Sequence, residues 1–108
     1  MSPTPPEFSH ERHGPRGVIF LERRGQRLAR VEYIHRAGEA RLRITHTEVD
    51  QSLRGQGMAR KLLEALGALA REQGLTLVPV CPAARAILRK TPELHDVLDA
   101  SFLPDAEP

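Results

Sequence analysis

Alternation of hydrophobic and polar positions dominates the first half of the chain. Residues 18–21 are a short apolar run that ends in a charged, glycine-containing turn. Residues 28–35 and 40–47 then alternate apolar with polar side chains and are separated by a second glycine-containing turn. A period of two is that of a half-buried strand, and short turns join antiparallel neighbours. The pattern therefore predicts a three-stranded antiparallel meander.

The apolar spacing changes to three and four residues in the second half. The repeating apolar positions are Met58, Ala59, Leu62, Leu63, Leu66, Leu69 and Ala70. This spacing predicts one amphipathic helix over residues 57–73, ended by Gly74 as a left-handed cap. Residues 75–80 follow as a nearly continuous apolar run, which is typical of a strand covered on both faces. A strand, a crossover helix and a second strand predict a right-handed βαβ unit with parallel strands.

Prolines and caps suggest the remaining elements. Pro79 lacks an N–H, so the strand over residues 75–80 is expected to have one open edge. Pro82 suits the first position of a second helix over residues 83–90. Thr91 is expected to cap a third, short helix that ends near Asp99. Together these elements predict an α+β fold with a mixed, mostly antiparallel sheet and short C-terminal helices.

The ends of the chain lack periodicity. Residues 1–16 hold four prolines, which predicts a flexible N-terminal tail. Residues 17–100 are expected to form a single domain, and residues 101–108 an acidic, frayed C-terminal tail.

Composition narrows the class of protein. The chain has 108 residues, 40% of them hydrophobic and 28% charged, which is typical of one globular domain. No uncharged stretch approaches the ~20 apolar residues of a spanning helix, and the N-terminus does not resemble a secretory signal. The single cysteine, Cys81, has no internal disulfide partner, and no Cys or His cluster has zinc-site spacing. We therefore expect a cytoplasmic protein with no membrane partner and no metal.

Charge argues against a nucleic-acid partner. The formal net charge is +2, and acidic and basic residues are spread evenly over both halves of the chain. A nucleic-acid interface needs clustered basic residues, and base stacking needs aromatic side chains, of which this chain has only four.

The glycine-rich segment at residues 54–59 lies between a predicted strand and a predicted helix. The first N–H groups of a helix have no internal partner and the helix dipole adds positive charge, so such a turn attracts anions. Gly55 and Gly57 allow close approach of the backbone to a phosphate. A P-loop would need Gly-Lys-Ser/Thr at its end, and a dinucleotide-binding turn would need glycine in place of Arg60. The spacing Arg-x-x-Gly-x-Ala is a different pattern.

Three motifs in order resemble the GNAT superfamily of N-acetyltransferases, and more narrowly its small, stand-alone N-acetyltransferase-like domains. They are His46-Thr47-Glu48-Val49, the loop at residues 54–59, and Val80-Cys81-Pro82. The resemblance covers residues 18–98. It implies a GNAT-like fold whose βαβ unit binds acetyl-CoA, and transfer of the acetyl group to a primary amine, with a protein or peptide acceptor among the candidates.

The resemblance also implies the residues of the acetyl-CoA site. The backbone of Thr47, Glu48 and Val49 would hold the pantetheine arm and the thioester carbonyl. Cys81 and Pro82 would border the thioester, and the two parallel strands would separate to admit the donor. The pyrophosphate would lie on the backbone N–H groups of Arg54, Gly55, Gln56, Gly57, Met58 and Ala59.

Three side chains are candidates for catalysis. Cys81 is expected at a helix start, where N–H groups favour a thiolate; it either forms an acyl-enzyme or moves a proton, or it is a buried apolar cysteine. His46 falls by alternation on the apolar face, as a hydrogen-bonded core histidine or as a general base. Glu48 is a candidate to deprotonate the ammonium of the acceptor, and a bulge in this strand would reverse its direction.

Two departures from larger relatives leave the acceptor open. Only a proline-rich segment precedes the first predicted strand, where those relatives wall the acceptor site with helices, so we expect an exposed site suited to a bulky amine. The only tyrosine is Tyr33, so none follows the fifth strand, where many relatives place the acid. A non-catalytic acetyl-CoA- or CoA-binding interaction module is the competing interpretation. Arg30, Arg41 and Arg43 are interpreted as part of a solvated face of the sheet. The alternative is that they attract an acidic acceptor or the adenosine phosphate of the donor.

Overall fold

Five strands and two helices form an α+β fold, seen in a computed structural model that describes residues 7–104. The strands are β1 (Ser9–His13), β2 (Arg16–Arg23), β3 (Gln26–Ile34), β4 (Arg41–Val49) and β5 (Thr76–Pro79), and the helices are α1 (Met58–Gln73) and α2 (Pro82–Arg89). The sheet order is β1-β2-β3-β4-β5. Strands β1 to β4 pair antiparallel, and β5 lies parallel to β4. The predicted α+β class, mostly antiparallel sheet and parallel βαβ unit are confirmed.

Strand β1 corrects the prediction of a flexible tail over residues 1–16. It pairs with β2 from Ser9↔Phe20 to His13↔Arg16. All five of its residues are exposed, so no alternation of apolar side chains marked it in the sequence. The meander therefore has four strands. Residues 1–6 of the predicted N-terminal tail, and residues 105–108 of the predicted C-terminal tail, lie outside the described residues.

One hydrophobic core lies between a single face of the sheet and both helices. Leu62, Leu66 and Leu88 are fully buried there, and each such side chain contributes about 1.5–3 kcal/mol of burial free energy. Gly67 allows close packing, because a Cβ at that position would lie 2.6 Å from Leu94 Cδ2. The opposite face of the sheet carries no helix within residues 7–104, and we call it the helix-free face.

Helix α1 begins and ends at glycines, as its spacing predicts. Gly57 and Gly74 flank it with φ of 69° each, a left-handed conformation that costs other residues free energy. The N–H of Gly74 donates to Ala70 O and closes the last turn. No helix within the described residues is long and apolar enough to cross a membrane.

The predicted third helix is wrong. Pro92–Leu94 forms a single 3-10 turn, and the Thr91 hydroxyl donates to Ile87 O at 2.7 Å instead of capping a helix. The segment after this turn then runs beside β5. Leu77 donates its N–H to Val97 O at 2.6 Å, and Asp99 donates to Leu77 O at 2.9 Å.

This segment covers the edge of β5 that faces away from β4. Alternate N–H groups of a strand point to the same edge, so the N–H that Pro79 lacks would have pointed outward, as that of Leu77 does. The proline therefore leaves the pairing of β5 with β4 intact. The C-terminal chain ends, within the described residues, after the 3-10 turn Ala100–Phe102, which includes the first residues of the predicted frayed end.

Candidate functional site

Strand β4 is longer than its parallel partner, and this difference opens a gap between them. The pairing of the two strands ends at Ile44↔Pro79. The Cys81 N–H then donates to Ile44 O at 3.0 Å, whereas Val80 turns its N–H back to Val78 O. Residues 45–49 of β4 have no strand beside them on that side in the described part of the chain. The expected separation of the parallel strands is therefore present, and we call it the β4–β5 gap.

A β-bulge at Thr45 decides which residues of β4 border the gap. Tyr33 of β3 pairs with Ile44 and Glu32 pairs with His46, so Thr45 is an extra residue. The Thr45 hydroxyl donates to Glu32 O at 3.3 Å. An extra residue shifts the alternation of side chains by one position. Beyond the bulge, odd-numbered side chains take the core face and even-numbered ones take the helix-free face.

The backbone of β4 follows the same shift. The Asp50 N–H donates to Leu28 O of β3 at 2.6 Å. Because N–H groups alternate in direction along a strand, the Glu48 amide also faces β3, while the amides of Thr47 and Val49 face the gap. Thr47 and Val49 can therefore offer backbone hydrogen bonds to a ligand in the gap. The backbone of Glu48, expected from the resemblance to do the same, does not face it.

His46 lies on the helix-free face, which corrects its expected place on the apolar face. Its side chain is 48% exposed, and its Nε2 atom lies 3.8 Å from Glu48 Oε2. The bulge is the cause, because it reverses every position that follows Ile44 on the strand. The interpretation as a core histidine is therefore wrong, and the imidazole is accessible to solvent. Glu48 points to the same face.

The loop at residues 54–59 presents a row of free backbone donors. No hydrogen bond within the described residues uses the N–H groups of Gly55, Gln56, Gly57, Met58, Ala59 and Arg60. The first bond of α1 runs from the Lys61 N–H to Gly57 O at 3.1 Å. Arg54 differs from the expectation, because its N–H already donates to Gln51 O at 3.2 Å. Its side chain is exposed and makes no ion pair within residues 7–104.

Local sequence explains why these donors stay free. Gly55 and Gly57 have φ of 81° and 69°, and a Cβ added at either would have no neighbour within 4 Å. No side chain caps the helix start, and its first turn holds no acidic residue. The Met58 side chain is buried in the core, which holds the first turn in place. Unpaired donors and the positive end of the helix dipole suit an anion of the size of a pyrophosphate.

Cys81 precedes the first residue of α2, with Pro82 at the first helical position as expected. The residue is only 9% exposed, and this burial raises the pKa of the thiol. Hydrogen bonds oppose that effect and leave the pKa below the usual range. They come from the N–H of Ala84, the hydroxyl of Thr47, and the N–H groups of Ala83 and Thr47. The net effect is a thiol of lowered pKa at the edge of the gap.

The Thr47 hydroxyl is a buried polar group without a firm partner. Its Oγ1 atom makes no hydrogen bond of good geometry within the described residues, so its contact with the Cys81 sulfur is a weak one. Leaving a buried hydroxyl unsatisfied costs about 1–3 kcal/mol. A polar group of a ligand in the gap would satisfy it. With the free donors of the loop, this hydroxyl adds an unpaired polar group to the candidate site.

Each arginine of the predicted solvated sheet face has a carboxylate partner. The pairs are Arg30 with Glu32 at 2.7 Å and with Glu48 at 3.2 Å, Arg41 with Asp99 at 3.6 Å, and Arg43 with Glu39 at 2.6 Å. Their charges are largely compensated, which argues against attraction of an acidic acceptor. The contact of Arg30 with Glu48 was missed from the sequence, because the pairing Arg30↔Glu48 depends on the bulge.

The described residues contain no group of three His, Cys, Asp or Glu side chains arranged to hold a metal ion. The candidate site consists instead of the β4–β5 gap, the loop donors at its end, and the thiol at its edge. The free backbone N–H of Arg60 was not predicted from the sequence. The general rule that the first four N–H groups of a helix have no partner would have indicated it.

A family profile described as "GCN5-related N-acetyl-transferase" matches residues 17–97, most of the chain. The chain belongs to this family. Membership of the GNAT family implies the use of acetyl-CoA, and the gap, the loop and Cys81 of this GNAT domain stand in the order that the three motifs suggested. No protein with a curated description matches the chain.

Solved structures support the fold. A "GCN5-like putative N-acetyltransferase" from Staphylococcus aureus is 26% identical with a TM-score of 0.66, and the match covers 87% of this chain and 90% of that one. The ribosomal-protein-alanine N-acetyltransferase from Brucella melitensis is 20% identical with a TM-score of 0.57, covering 87% of this chain and 70% of that one. The ribosomal-protein-S18-alanine N-acetyltransferase from Escherichia coli is 19% identical with a TM-score of 0.56, covering 84% and 56%. The last two show likeness of fold alone.

Proposed function

We propose that this chain transfers the acetyl group of acetyl-CoA to a primary amine. The observation that carries the proposal is the β4–β5 gap, which has backbone groups of β4 free along one side and the Cys81 thiol on the other. A wall of free backbone groups in a gap beside a low-pKa thiol has no role in the packing of the domain. It suits a thioester laid along the strand.

Three groups of residues contact different parts of the donor. Free N–H groups from Gly55 to Arg60 hold the pyrophosphate, and the gap-facing backbone of Thr47 and Val49 holds the pantetheine arm. The Thr47 hydroxyl gains its missing partner in the same event. Acetyl-CoA, when bound, supplies a thioester whose carbon–sulfur bond breaks as the acceptor nitrogen bonds to the acetyl carbon, releasing coenzyme A as a thiol and one proton.

Glu48 is the candidate base for the acceptor. A primary amine arrives as an ammonium and must lose a proton before it can attack. The Glu48 carboxylate lies on the helix-free face, with its Oε2 atom 3.8 Å from the His46 imidazole, which is open to solvent. Glu48 thus accepts the proton, and His46 provides a route from it to water.

Cys81 is the candidate acid. Its thiol lies where the hydrogen bonds of Thr47, Ala83 and Ala84 stabilise a negative charge, so it gives up a proton readily to a leaving sulfur and regains it from solvent. The alternative role is covalent, with the acetyl group carried on the Cys81 sulfur. A Cys81→Ala protein with full activity would exclude both roles. Loss of activity with no acetylated Cys81 in the mass spectrum of the acetyl-CoA-treated wild type would leave the acid role.

The acceptor is proposed to be a bulky amine, such as a lysine side chain or the N-terminus of a protein. The helix-free face next to Glu48 carries no helix that would restrict the size of the acceptor within the described residues. Turnover on peptides that exceeds turnover on small amines of equal amine concentration would support this choice.

Two measurements on the same sample test the function. Thermal unfolding with acetyl-CoA at about 100 times its dissociation constant should show about 2.7 kcal/mol of added stability, a rise of the melting temperature on the order of 10 °C. Release of free coenzyme A thiol, followed with poly-L-lysine present and absent, reports transfer. Stabilisation with acceptor-dependent release supports an acetyltransferase. Stabilisation without release on any amine favours a CoA-binding module, and no stabilisation overturns the donor site.

A further inference from the structure

Arg30 joins the candidate base to the neighbouring strand. Its Nη1 atom lies 3.2 Å from Glu48 Oε1, and its Nε atom lies 2.7 Å from Glu32 Oε2. Arg30 and Glu48 are direct cross-strand partners on the helix-free face. One guanidinium therefore bridges two carboxylates, and the second oxygen of Glu48 is left toward His46.

The acceptor must reach the thioester from this side of the sheet. The core side of the gap is occupied, because Thr47, Cys81 and the start of α2 lie there. The helix-free face carries no helix within the described residues, and a cavity of about 350 Å³ lies beside the Arg30–Glu48 pair where β4 ends. Its lining includes both partners of the pair and the Val49 residue that borders the gap. An amine in this cavity meets Glu48 on the way to the gap.

We propose that Arg30 is a positioning residue for Glu48, whose carboxylate it holds at the rim of the gap. The inference rests on the proposed function, in which Glu48 is the base for the acceptor amine. The Glu48 side chain is 57% exposed, so without Arg30 little else within the described residues would restrict its rotamers. A misplaced base should lower the rate of acetyl transfer and leave the affinity for acetyl-CoA unchanged.

Charged groups surround Glu48 on both strands. Arg30 and Glu32 face it from β3, and His46 lies beside it on β4. Asp50 and Arg54 line the same cavity. The Arg30 guanidinium lies 3.2 Å from the Glu48 carboxylate, so its removal should free the Glu48 side chain to adopt other rotamers.

The test compares Arg30→Gln with Arg43→Gln. Both arginines lie on the sheet, are about equally exposed at 34% and 31%, and form an ion pair with a glutamate, but the partner of Arg43 is Glu39, at the far end of β4 from Glu48. Coenzyme A release on poly-L-lysine is measured as separate kcat and KM values. We expect Arg30→Gln to lose kcat on the order of 10- to 100-fold with the KM for acetyl-CoA unchanged, and Arg43→Gln to match the wild type.

Three further measurements separate positioning from a purely structural role. Acetyl-CoA stabilisation should be equal in all these variants, because the loop and the gap are unchanged. Arg30→Lys should restore part of the rate, since it keeps the cation but loses the planar guanidinium. Arg30→Gln combined with Glu48→Gln should lose no more than Glu48→Gln alone.

Each outcome bears on one of the two claims. A Glu48→Gln protein with full activity, or no amine-dependent turnover by the wild type, overturns the proposed base or function and the role of Arg30 with it. Turnover that needs Glu48 but is unchanged in Arg30→Gln overturns only the present inference. Equal losses in Arg30→Gln and Arg43→Gln would also overturn it, because they would show a general effect of the sheet charges.

Discussion

At the scale of single residues, burial and hydrogen bonding have opposite effects on the pKa of the Cys81 thiol. Burial raises its pKa, while hydrogen bonds from Ala84, Thr47 and Ala83 lower it by more, so that the net shift is downward. The rate of alkylation by iodoacetamide should therefore rise with pH around a midpoint below the ~8.5 of a free cysteine. Acetyl-CoA should slow the reaction by covering the gap.

A pair of threonine variants isolates the hydroxyl that contributes to this effect. Thr47→Val removes the hydroxyl beside the sulfur and should move the alkylation midpoint to higher pH. Thr45→Val removes the hydroxyl at the bulge, which bonds Glu32 O and not the thiol, and should leave the midpoint in place. A wild-type midpoint equal to that of the unfolded protein would contradict the proposed environment of Cys81.

At the scale of elements, the two ends of helix α1 provide a matched comparison for the loop at residues 54–59, which is proposed to hold the pyrophosphate. Gly57 and Gly74 flank the same helix with the same φ of 69°, and neither would meet a neighbour within 4 Å if it carried a Cβ. Gly57→Ala and Gly74→Ala should each cost about 1–2 kcal/mol of stability, because both force alanine into a left-handed conformation. Only Gly57→Ala should weaken acetyl-CoA, by about tenfold or more, since only its Cβ enters the row of free N–H groups.

Calorimetric titration of both variants with acetyl-CoA provides the measurement. Equal weakening in the two would show that helix strain, and not the loop, controls affinity. Unchanged affinity in both would mean that the pyrophosphate does not lie against Gly57.

At the scale of the whole molecule, stability should fall in two stages as pH is lowered. His10 Nε2 lies 2.6 Å from the hydroxyl of buried Tyr33, and partial loss of hydration beside Tyr33, followed by the charge of Arg12, lowers the His10 pKa. A lowered folded-state pKa means that the unfolded chain binds more protons, so stability decreases as pH falls below about 6.5. Lowered pKa values of four carboxyls extend the loss below about pH 4. These are Glu39, Asp50, Asp96 and Asp99, whose largest stabilising contacts come from Arg43, Ser52, Arg71 and Ser101.

The first stage is assigned to one side chain by comparing two histidines of β1. The melting temperature of the wild type should decline between pH 6.5 and 5. That of His10→Gln should stay constant over this range, because the variant lacks the histidine that takes up a proton on unfolding. His13→Gln should keep the decline, because the His13 ring makes no hydrogen bond within residues 7–104. A wild-type melting temperature that is constant over this range would refute the assignment.

The sequence alone determined the elements whose side chains repeat with a clear period. The leucine stripe and the two flanking glycines predicted α1 almost to the residue, and the apolar run after Gly74 predicted a strand parallel to β4. Glycine spacing before the helix also indicated the loop whose backbone N–H groups are free. These features are local, because propensity, capping and one buried face are all that they need.

Strand β1 and the order of side chains along β4 were decided only by the tertiary structure. Ser9–His13 buries no side chain, so only its hydrogen bonds to β2 make it a strand. The bulge at Thr45 arises from the pairing of β4 with β3, and this single extra residue moves His46 and Glu48 to the helix-free face and Thr47 toward Cys81. The alternation of side chains along one strand does not reveal an inserted residue, because a bulge is defined only by the pairing with the neighbouring strand. The motifs therefore indicated the chemistry of the site, and the pairing of the strands decided which face of the sheet each group serves.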